Sequence, residues 1–367
     1  MQIALSMLLA LAMILFGAEL FTNAVEWLGA KLHLGQGAVG SVLAALGTAL
    51  PEAAVPVAAI LFGGGSRAAE EVGIGGILGA PFLLVTLGSA IVAISLLLVH
   101  RRANDRTHLA VQRQAYQRDM TYFLVAYALS LVVGCVQSEW VHKVAPMVLL
   151  GAYLVFVVQT MRDRSLQGAH AHLAPLYLQW KQPQPGGFAV LFQLVAALAM
   201  IVGGAQLLAA GVERIAVWLN IPPFVLSALL IPLATELPET LNSVVWIRQG
   251  KDALAMGNIT GAVVFQSTLV PALGIWLTGW NLTEQAMLTG GLTLAAGALV
   301  FGAFRLRGRV TPSVLFAASL LYWILPLHTV AVRYGVFSAY WLGWAVVAGA
   351  MTALLGAGWW RGGCDAA

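Results

Sequence analysis

The sequence predicts an all-α integral membrane protein: 10 or 11 transmembrane helices forming two five-helix repeats of opposite orientation, with an extra helix at the C-terminal end. Three observations lead there. Of the 367 residues, 60% are hydrophobic and 9% charged, against roughly 25% charged in soluble domains. Apolar stretches recur from Met1 to Trp360, each near the ~20 residues that cross a hydrocarbon core about 30 Å thick. The chain also matches itself without gaps at an offset of 187 positions.

The spans fall in order at 3–29, 36–62, 72–99, 120–137, 144–161, 188–216, 221–247, 253–279, 284–304, 310–328 and 336–358, bounded by polar residues or by Gly and Pro. The first has no Lys or Arg ahead of Ile3 and no small-residue cleavage pattern, and it continues through Gly17-Ala18-Glu19-Leu20; it reads as a helix rather than a signal peptide. Between the fifth and sixth lies the Pro-, Gly- and Gln-rich stretch 162–187, a linker by composition. It separates an N-terminal membrane half, 1–161, from a C-terminal half, 188–328; residues 329–367 hold the additional helix and tail. His170 and His172 sit in the linker. A His-x-His pair can bind metal, but two solvated loop histidines are the simpler reading. Cys135 and Cys364 are isolated and match no metal or redox spacing.

An odd number of spans puts the termini on opposite sides. With the N-terminus outside, the inner loops and tail hold Lys31, Arg101, Arg102, Arg106, Arg113, Arg118, Arg162, Arg164, Lys181, Arg248, Lys251, Arg305, Arg307, Arg309 and Arg361. Only Arg67, Lys143, Arg214 and Arg333 remain outside. Fifteen basic residues against four satisfy the positive-inside rule for an N-terminus outside and a cytoplasmic C-terminus. The low cysteine content fits a bacterial inner membrane. The net charge of +4 is thus a matter of topology; it indicates no nucleic acid, and no protein partner can be inferred.

The self-match pairs Gly17-Ala18-Glu19-Leu20 with Gly204-Ala205-Gln206-Leu207, Val25-Glu26 with Val212-Glu213, and Thr48 and Leu50-Pro51-Glu52 with Thr235 and Leu237-Pro238-Glu239. After the longer Gly63-Gly64-Gly65-Ser66 loop the offset becomes 182, pairing Gly75 with Gly257 and Gly79 with Gly261. Equivalent points are five spans apart, so the halves insert in opposite directions. That is the inverted-repeat plan, whose substrate sites lie near the midplane at broken helices.

Proline has no N–H and displaces the carbonyl four residues earlier. Pro51 therefore frees the C=O of Gly47, and Pro238 that of Ala234. Non-helical backbone at membrane depth is tolerated only where it is buried in protein or lines a cavity, so both prolines predict helix breaks at an internal site. Each break brings a carboxylate, Glu52 or Glu239, and a hydroxyl one turn earlier, Thr48 or Thr235. Carboxylates, carbonyls and hydroxyls are hard oxygen ligands suited to Ca²⁺, and an acid inside the membrane is a functional candidate by default. No Lys or Arg lies in the apolar core of a span, and no aspartate falls inside one. Gly73, Gly75, Gly76 and Gly79 in the third span and Gly257 and Gly261 in the eighth allow close helix packing. Pro81 belongs to the third span as well. Gln266 stands among apolar neighbours, where its amide needs a partner and an ion site supplies one; Asn258 has either that role or a structural hydrogen bond. Glu19 and Glu26 in the first span and Glu213 in the sixth belong to an entrance or to the membrane edge.

Gly47-Thr48-Ala49-Leu50-Pro51-Glu52 and Ala234-Thr235-Glu236-Leu237-Pro238-Glu239 resemble the two α-repeats of the cation/Ca²⁺ antiporter superfamily, in particular the sodium/calcium exchangers. The α-repeats cover about 36–99 and 221–279. The resemblance implies a secondary antiporter exchanging a divalent cation, Ca²⁺ first, for Na⁺ or H⁺ by alternating access, without a cofactor. It implies Glu52 and Glu239 as central ligands, with Thr48, Thr235 and the backbone carbonyls of Ala45 and Pro232 around them. This chain departs from the motif where sodium would bind: Ala49 replaces a serine, Gly79-Ala80-Pro81 and Gly261-Ala262-Val263 replace Gly-Ser-Asn, and Leu84 and Gln266 stand at the later Asn or Asp positions. In exchange the second motif gains Glu236. Three acids against one Ca²⁺ leave a net −1, and like charges in a poorly hydrated site favour a proton on one member. Proton coupling through Glu236 or Glu239 then replaces or supplements sodium; a water-facing Glu236 is the alternative. Exchange of another cation such as Mn²⁺, a channel, and an intramembrane enzyme using paired acids are the competing readings. The enzyme finds no support, since no histidine, zinc motif or serine nucleophile accompanies the acids.

Overall fold

The computed structural model describes residues 2–31, 44–100, 109, 111–136, 138–162, 174–182 and 184–364. Side chains are described for all of these except 29, 44–50, 99–100, 237–239, 337–340, 342 and 356–364. Its helices are α1 (Gln2–Lys31), α2 (Ala44–Phe62), α3 (Arg67–Leu83), α4 (Ser89–His100), α5 (Arg113–Cys135), α6 (Glu139–Arg162), α7 (Gly187–Leu219), α8 (Pro223–Arg248), α9 (Asp252–Leu277), α10 (Glu284–Arg307), α11 (Pro312–Leu320), α12 (Ile324–Tyr334) and α13 (Phe337–Cys364). A π segment, Leu84–Gly88, joins α3 to α4, and a 3₁₀ turn, Leu321–Trp323, joins α11 to α12, so each of these pairs forms one span. Among the described residues the β-structure amounts to one isolated bridge, Leu109 with Val310.

Local chemistry sets the helix ends. Ser66 caps α3 by accepting from the Ala69 N–H, and Thr283 caps α10 by accepting from Ala286. Asn220, at φ 52°, stops α7 in the left-handed conformation, and Pro223 then opens α8, a position where a missing N–H costs nothing. Among the described residues, eight segments are long and apolar enough to span a membrane, or nine with the bent α8. In α2 and α13 the described apolar stretches are shorter, Pro51–Phe62 and Gly343–Leu355. Among the described residues eleven helical segments overlap the eleven apolar stretches; positions 36–43 of the second stretch lie outside the described residues. The main displacement is at α5, which begins at Arg113 rather than at 120, so Arg113, Arg118 and Asp119 belong to a helix rather than a loop.

Burial sorts the helices. Of the apolar window, 72% is buried in α9 and 67% in α3–α4, against 17% in α1 and 22% in α6. The first two are the centre and the last two face outward. The outer surface carries Leu5, Leu8, Phe16, Phe188 and Trp218 exposed, as suits a protein whose surrounding solvent is lipid.

The inverted repeat is visible at the α1–α7 seam. Gly17 faces Ala197 and Ile201, while Gly204 faces Ala10 and Ile14; the offset of 187 converts one set into the other. A Cβ on Gly17 would stand 2.9 Å from Ile201 Cγ1, and one on Gly204 would stand 2.9 Å from Ile14 Cγ1. As position falls along α1 its partner rises along α7, so the two helices run antiparallel about a local two-fold axis.

At one end of this seam part of the linker lies across both helices. The Tyr177 hydroxyl donates to Glu19 Oε1 (2.8 Å), Trp27 Nε1 to Ala174 O (2.9 Å) and Asn23 Nδ2 to Pro175 O (3.2 Å). Gln193 on α7 donates to Asn23 Oδ1 (2.9 Å) and Leu20 O (3.0 Å) and accepts from Leu178 N (3.1 Å). Glu19 is thus engaged by this strap, and its carboxylate holds the Tyr177 phenol above the ordinary tyrosine range. Leu109 bridging Val310 likewise brings the α4–α5 and α10–α11 connections to a common face, as the alternation of spans requires.

Candidate functional site

Four prolines shape the two helices that carry the acids. Pro51 and Pro56 lie inside α2, and Pro232 and Pro238 lie inside α8. The α2 helix continues through Pro51, whereas in α8 the segments Pro223–Glu236 and Thr240–Arg248 meet at 43° around Pro238. The break expected in the second half is therefore present as a sharp bend, as a proline inside a helix produces, while in the first half the helix runs on through Pro51. Pro56 deprives the Glu52 carbonyl of its helical donor, and Pro232 does the same for Ala228. Against the Ala228 carbonyl lies Gly79 of α3, where a Cβ would stand 2.3 Å from the oxygen. Gly75 approaches Ser227 and Phe224, and Gly73 and Gly76 approach Ile60 and Pro56. The α3 glycines thus wedge that helix between α2 and α8. No described atom comes within 4 Å of a Cβ on Gly257 or Gly261.

Where α2, α8 and α9 meet, Glu52, Glu236 and Gln266 come together, with 2%, 0% and 0% of their surfaces exposed. Gln266 Nε2 donates to Glu52 Oε2 at 2.7 Å and to Glu236 Oε1 at 2.6 Å. Both amide hydrogens are used, and they tie an acid of the first half to an acid of the second. The other end of the amide, Gln266 Oε1, is buried with no hydrogen-bond partner. Thr235 is buried beside Glu236 and donates to Ile231 O at 3.2 Å; its oxygen keeps lone pairs for a second contact. Pro232 is buried and Ala234 half-buried in the same helix. Ala45, Gly47 and Thr48 on α2, and Pro238 and Glu239 on α8, have helical backbone, but their side chains lie outside the described residues. Among the described residues no group of three or more His, Cys, Asp or Glu is gathered. The described set is therefore two carboxylates joined by an amide nitrogen, with the unpartnered amide oxygen at the other end of the same group and hydroxyl and carbonyl oxygens along the same helices. The oxygens are all hard ligands.

The two halves are unequal here. The repeat partner of Glu236 is Ala49, and that of Gln266 is Leu84, the first residue of the π segment. Leu84 N–H reaches both Ala80 O and Pro81 O, Thr86 bonds back to Phe82 O, and Tyr127 on α5 donates to the Leu78 carbonyl at 3.1 Å. Such π segments often mark functional positions.

Sequence reasoning missed several groups. It placed no aspartate inside a span, whereas Asp119 sits buried within α5, accepting from Thr260 Oγ1 at 2.7 Å and paired with Arg118 at 2.9 Å. Asp252 is buried at the start of α9. Both stood one residue outside the apolar windows, where hydropathy sees only the edge of a span. Pro56, four residues after Glu52, was a readable sign of a second displaced carbonyl. Asn258 donates to Ser243 across the α8–α9 contact at 3.5 Å, the structural alternative for that residue.

Comparison with known proteins places the chain. The family model described as "Sodium/calcium exchanger protein" matches residues 3–161 and 189–348. CaxA of Alkalimonas amylolytica is 24% identical over 327 residues, covering 86% of this chain and 95% of its own. The inner membrane protein YrbG of Escherichia coli (strain K12) is 23% identical over 340 residues, covering 88% and 97%. Among solved structures, the H⁺/Ca²⁺ exchanger CAX shares the fold at a TM-score of 0.66 with 15% identity, covering 96% of this chain and 92% of that one. The sodium-calcium exchanger NCX_Mj shares it at a TM-score of 0.52 with 18% identity, covering 88% and 97%. The two matched blocks meet at the linker, as the internal repeat requires, and the chain belongs to the sodium/calcium exchanger family, whose members are secondary transporters of the membrane and not enzymes.

Proposed function

We propose that the chain exchanges Ca²⁺ for protons by alternating access, with Glu52, Glu236 and Glu239 as the charged part of the cation site and Gln266, Thr48, Thr235 and the carbonyls of Ala45 and Pro232 as its neutral part. The observation that carries this reading is the joining of Glu52 and Glu236, from opposite halves, through the Gln266 amide in the protein core. Buried carboxylates are retained where they are paired or hold a cation. Two solved proteins with this fold differ in coupling ion by their names, so the choice rests on side chains. The positions that would supply sodium with oxygen are Ala49, Ala80 and Leu84 in the first half. The second half instead carries the additional acid Glu236, which can take a proton when Ca²⁺ leaves.

In the proposed cycle α1 and α7 slide as a pair against the core of α2, α3, α8 and α9, exposing the site to each side in turn. The N-terminus lies outside and the C-terminus in the cytoplasm of a bacterial inner membrane, with the linker 162–187 on the cytoplasmic face. Purified protein in liposomes tests the reading. Imposed proton and sodium gradients are applied separately, and uptake of Ca²⁺ and Mn²⁺ is followed. Calcium movement driven by a proton gradient and indifferent to sodium is expected; movement driven by sodium alone refutes proton coupling.

A further inference from the structure

We propose that the Gln266 amide is a two-position element of the cation site. In one position its NH₂ group holds the place of the cation between Glu52 and Glu236; in the other the amide has turned and offers Oε1 as a ligand. The inference rests on the cation-site reading above and adds to it the means by which the acids are kept together between cargoes.

The first support is the use of both hydrogens. An amide lying between two carboxylates has to present nitrogen, because its oxygen would face two acceptors. At 2.7 and 2.6 Å these are charge-assisted contacts, and the weakly positive NH₂ group stands within reach of both acids. The second support is the other end of the same group. Gln266 Oε1 is buried with no partner, an unfavourable arrangement for an amide with no exposed surface. A half-turn about Cγ–Cδ exchanges the two ends and directs that oxygen toward the space between the acids. A divalent cation would satisfy it there, whereas NH₂ beside the cation would be repelled. Each position thus satisfies one end of the amide and disfavours the other, so occupancy of the site decides between them.

The third support is the asymmetry of the repeat. Leu84, the equivalent position in the first half, has no polar atom, and Ala49, the equivalent of Glu236, has no charge. The amide and the extra acid occur in the same half and touch, so Gln266 is matched to Glu236. The competing arrangement is a fixed clamp, in which Gln266 keeps its hydrogen bonds while the cation takes other carboxylate oxygens.

The experiment uses full-length protein in detergent with side-chain ¹⁵N-labelled glutamine, and the Gln266 resonances are assigned by their loss in Gln266→Met. Calcium binding is measured separately by equilibrium dialysis. Both Gln266 amide protons are expected downfield without Ca²⁺ and upfield on saturation, in step with bound calcium. If calcium binds and the resonances stay in place, the clamp is fixed and the inference fails while the cation site stands. If neither Ca²⁺ nor Mn²⁺ binds to the wild-type protein, the cation-site reading itself fails. A Gln266→Lys variant supplies an independent arm: its ammonium holds the cation's place permanently. Retention of fold with a loss of about a hundredfold or more in calcium affinity is expected from the like charge; wild-type affinity in that variant overturns the inference.

Discussion

Glu52 and Gln266 are 214 positions apart in the chain and 2.7 Å apart in the fold. The contact is made because α9, the most buried of the long apolar helices, runs through the centre and meets α2 and α8 there. Glu236 is reached by the same nitrogen at 2.6 Å, so the acids of the two halves are joined into one unit.

The first prediction concerns that unit. A ligand bound only by the folded protein stabilises it by about 2.7 kcal/mol at a hundred times its dissociation constant. Calcium should raise the unfolding temperature of the wild-type protein in detergent, and Glu52→Gln and Glu236→Gln should each remove most of that rise. An undiminished shift in both variants places the cation elsewhere.

Gly79→Ala sets a methyl group 2.3 Å from the Ala228 carbonyl, a backbone atom unable to move aside. Overpacking of this kind costs about 1–3 kcal/mol, so the melting temperature should fall. Gly151 in α6 meets nothing within 4 Å, and Gly151→Ala is expected to be neutral or to gain about 0.5–1 kcal/mol from helix propensity. Parallel thermal melts of the two variants check the contrast.

The seam glycines hold α1 and α7 together as the pair that moves in the proposed cycle. Gly17→Val and Gly204→Val each place branched carbons against Ile201 or Ile14, overpacking that costs about 1–3 kcal/mol and parts the two helices. Calcium exchange in liposomes is expected to fall about tenfold or more for either variant, since packed interfaces shift between discrete arrangements, with cation binding retained. Equal losses of binding and exchange refute the moving-pair role.

At the strap, Gln193→Leu leaves the Leu178 N–H without its acceptor and removes a donor from Asn23. Gln193 has 1% of its surface exposed, and groups buried without partners cost about 1–3 kcal/mol. Trp27→Phe, at a more exposed bond, should cost about 1 kcal/mol or less. Thermal melts rank the two; the reverse order would show that the strap is held mainly through Trp27.

Orientation can be read from one thiol. Cys135 is free and exposed at the end of α5, on the outer face in the proposed topology. In a Cys364→Ser background, a membrane-impermeant maleimide added to intact cells with a permeable outer membrane should label it. Labelling only after the inner membrane is opened reverses the orientation.

The helices and their order were legible because lipid imposes a period and a length that hydropathy detects directly. The repeat was legible because Gly17, Thr48, Pro51 and Glu52 all keep their partners at a single offset. Glu236 and Gln266 could be singled out as polar residues in apolar surroundings, but nothing in the sequence said that they touch, because that depends on how α8 and α9 cross. Asp119 and the Asn23–Gln193 pair were hidden for the opposite reason. They lie near span ends, where polar residues are ordinary, and only packing shows them to be buried. The continuity of α2 through Pro51 was also unreadable, since proline's local cost is offset by neighbours far away in sequence.

The seam between α1 and α7 has a consequence for the balance of the resting states. If the two end states of the cycle interchange the roles of the halves, a boundary with two-fold symmetry makes equivalent contacts in both, and Gly17 and Gly204 contribute no preference for facing either way. Any bias has to come from residues whose partners differ: Glu236 against Ala49, Gln266 against Leu84, and the Tyr177 strap, which has a counterpart on neither helix's far end among the described residues. Duplication would then have supplied a neutral balance, and the later divergence of the halves the weights upon it.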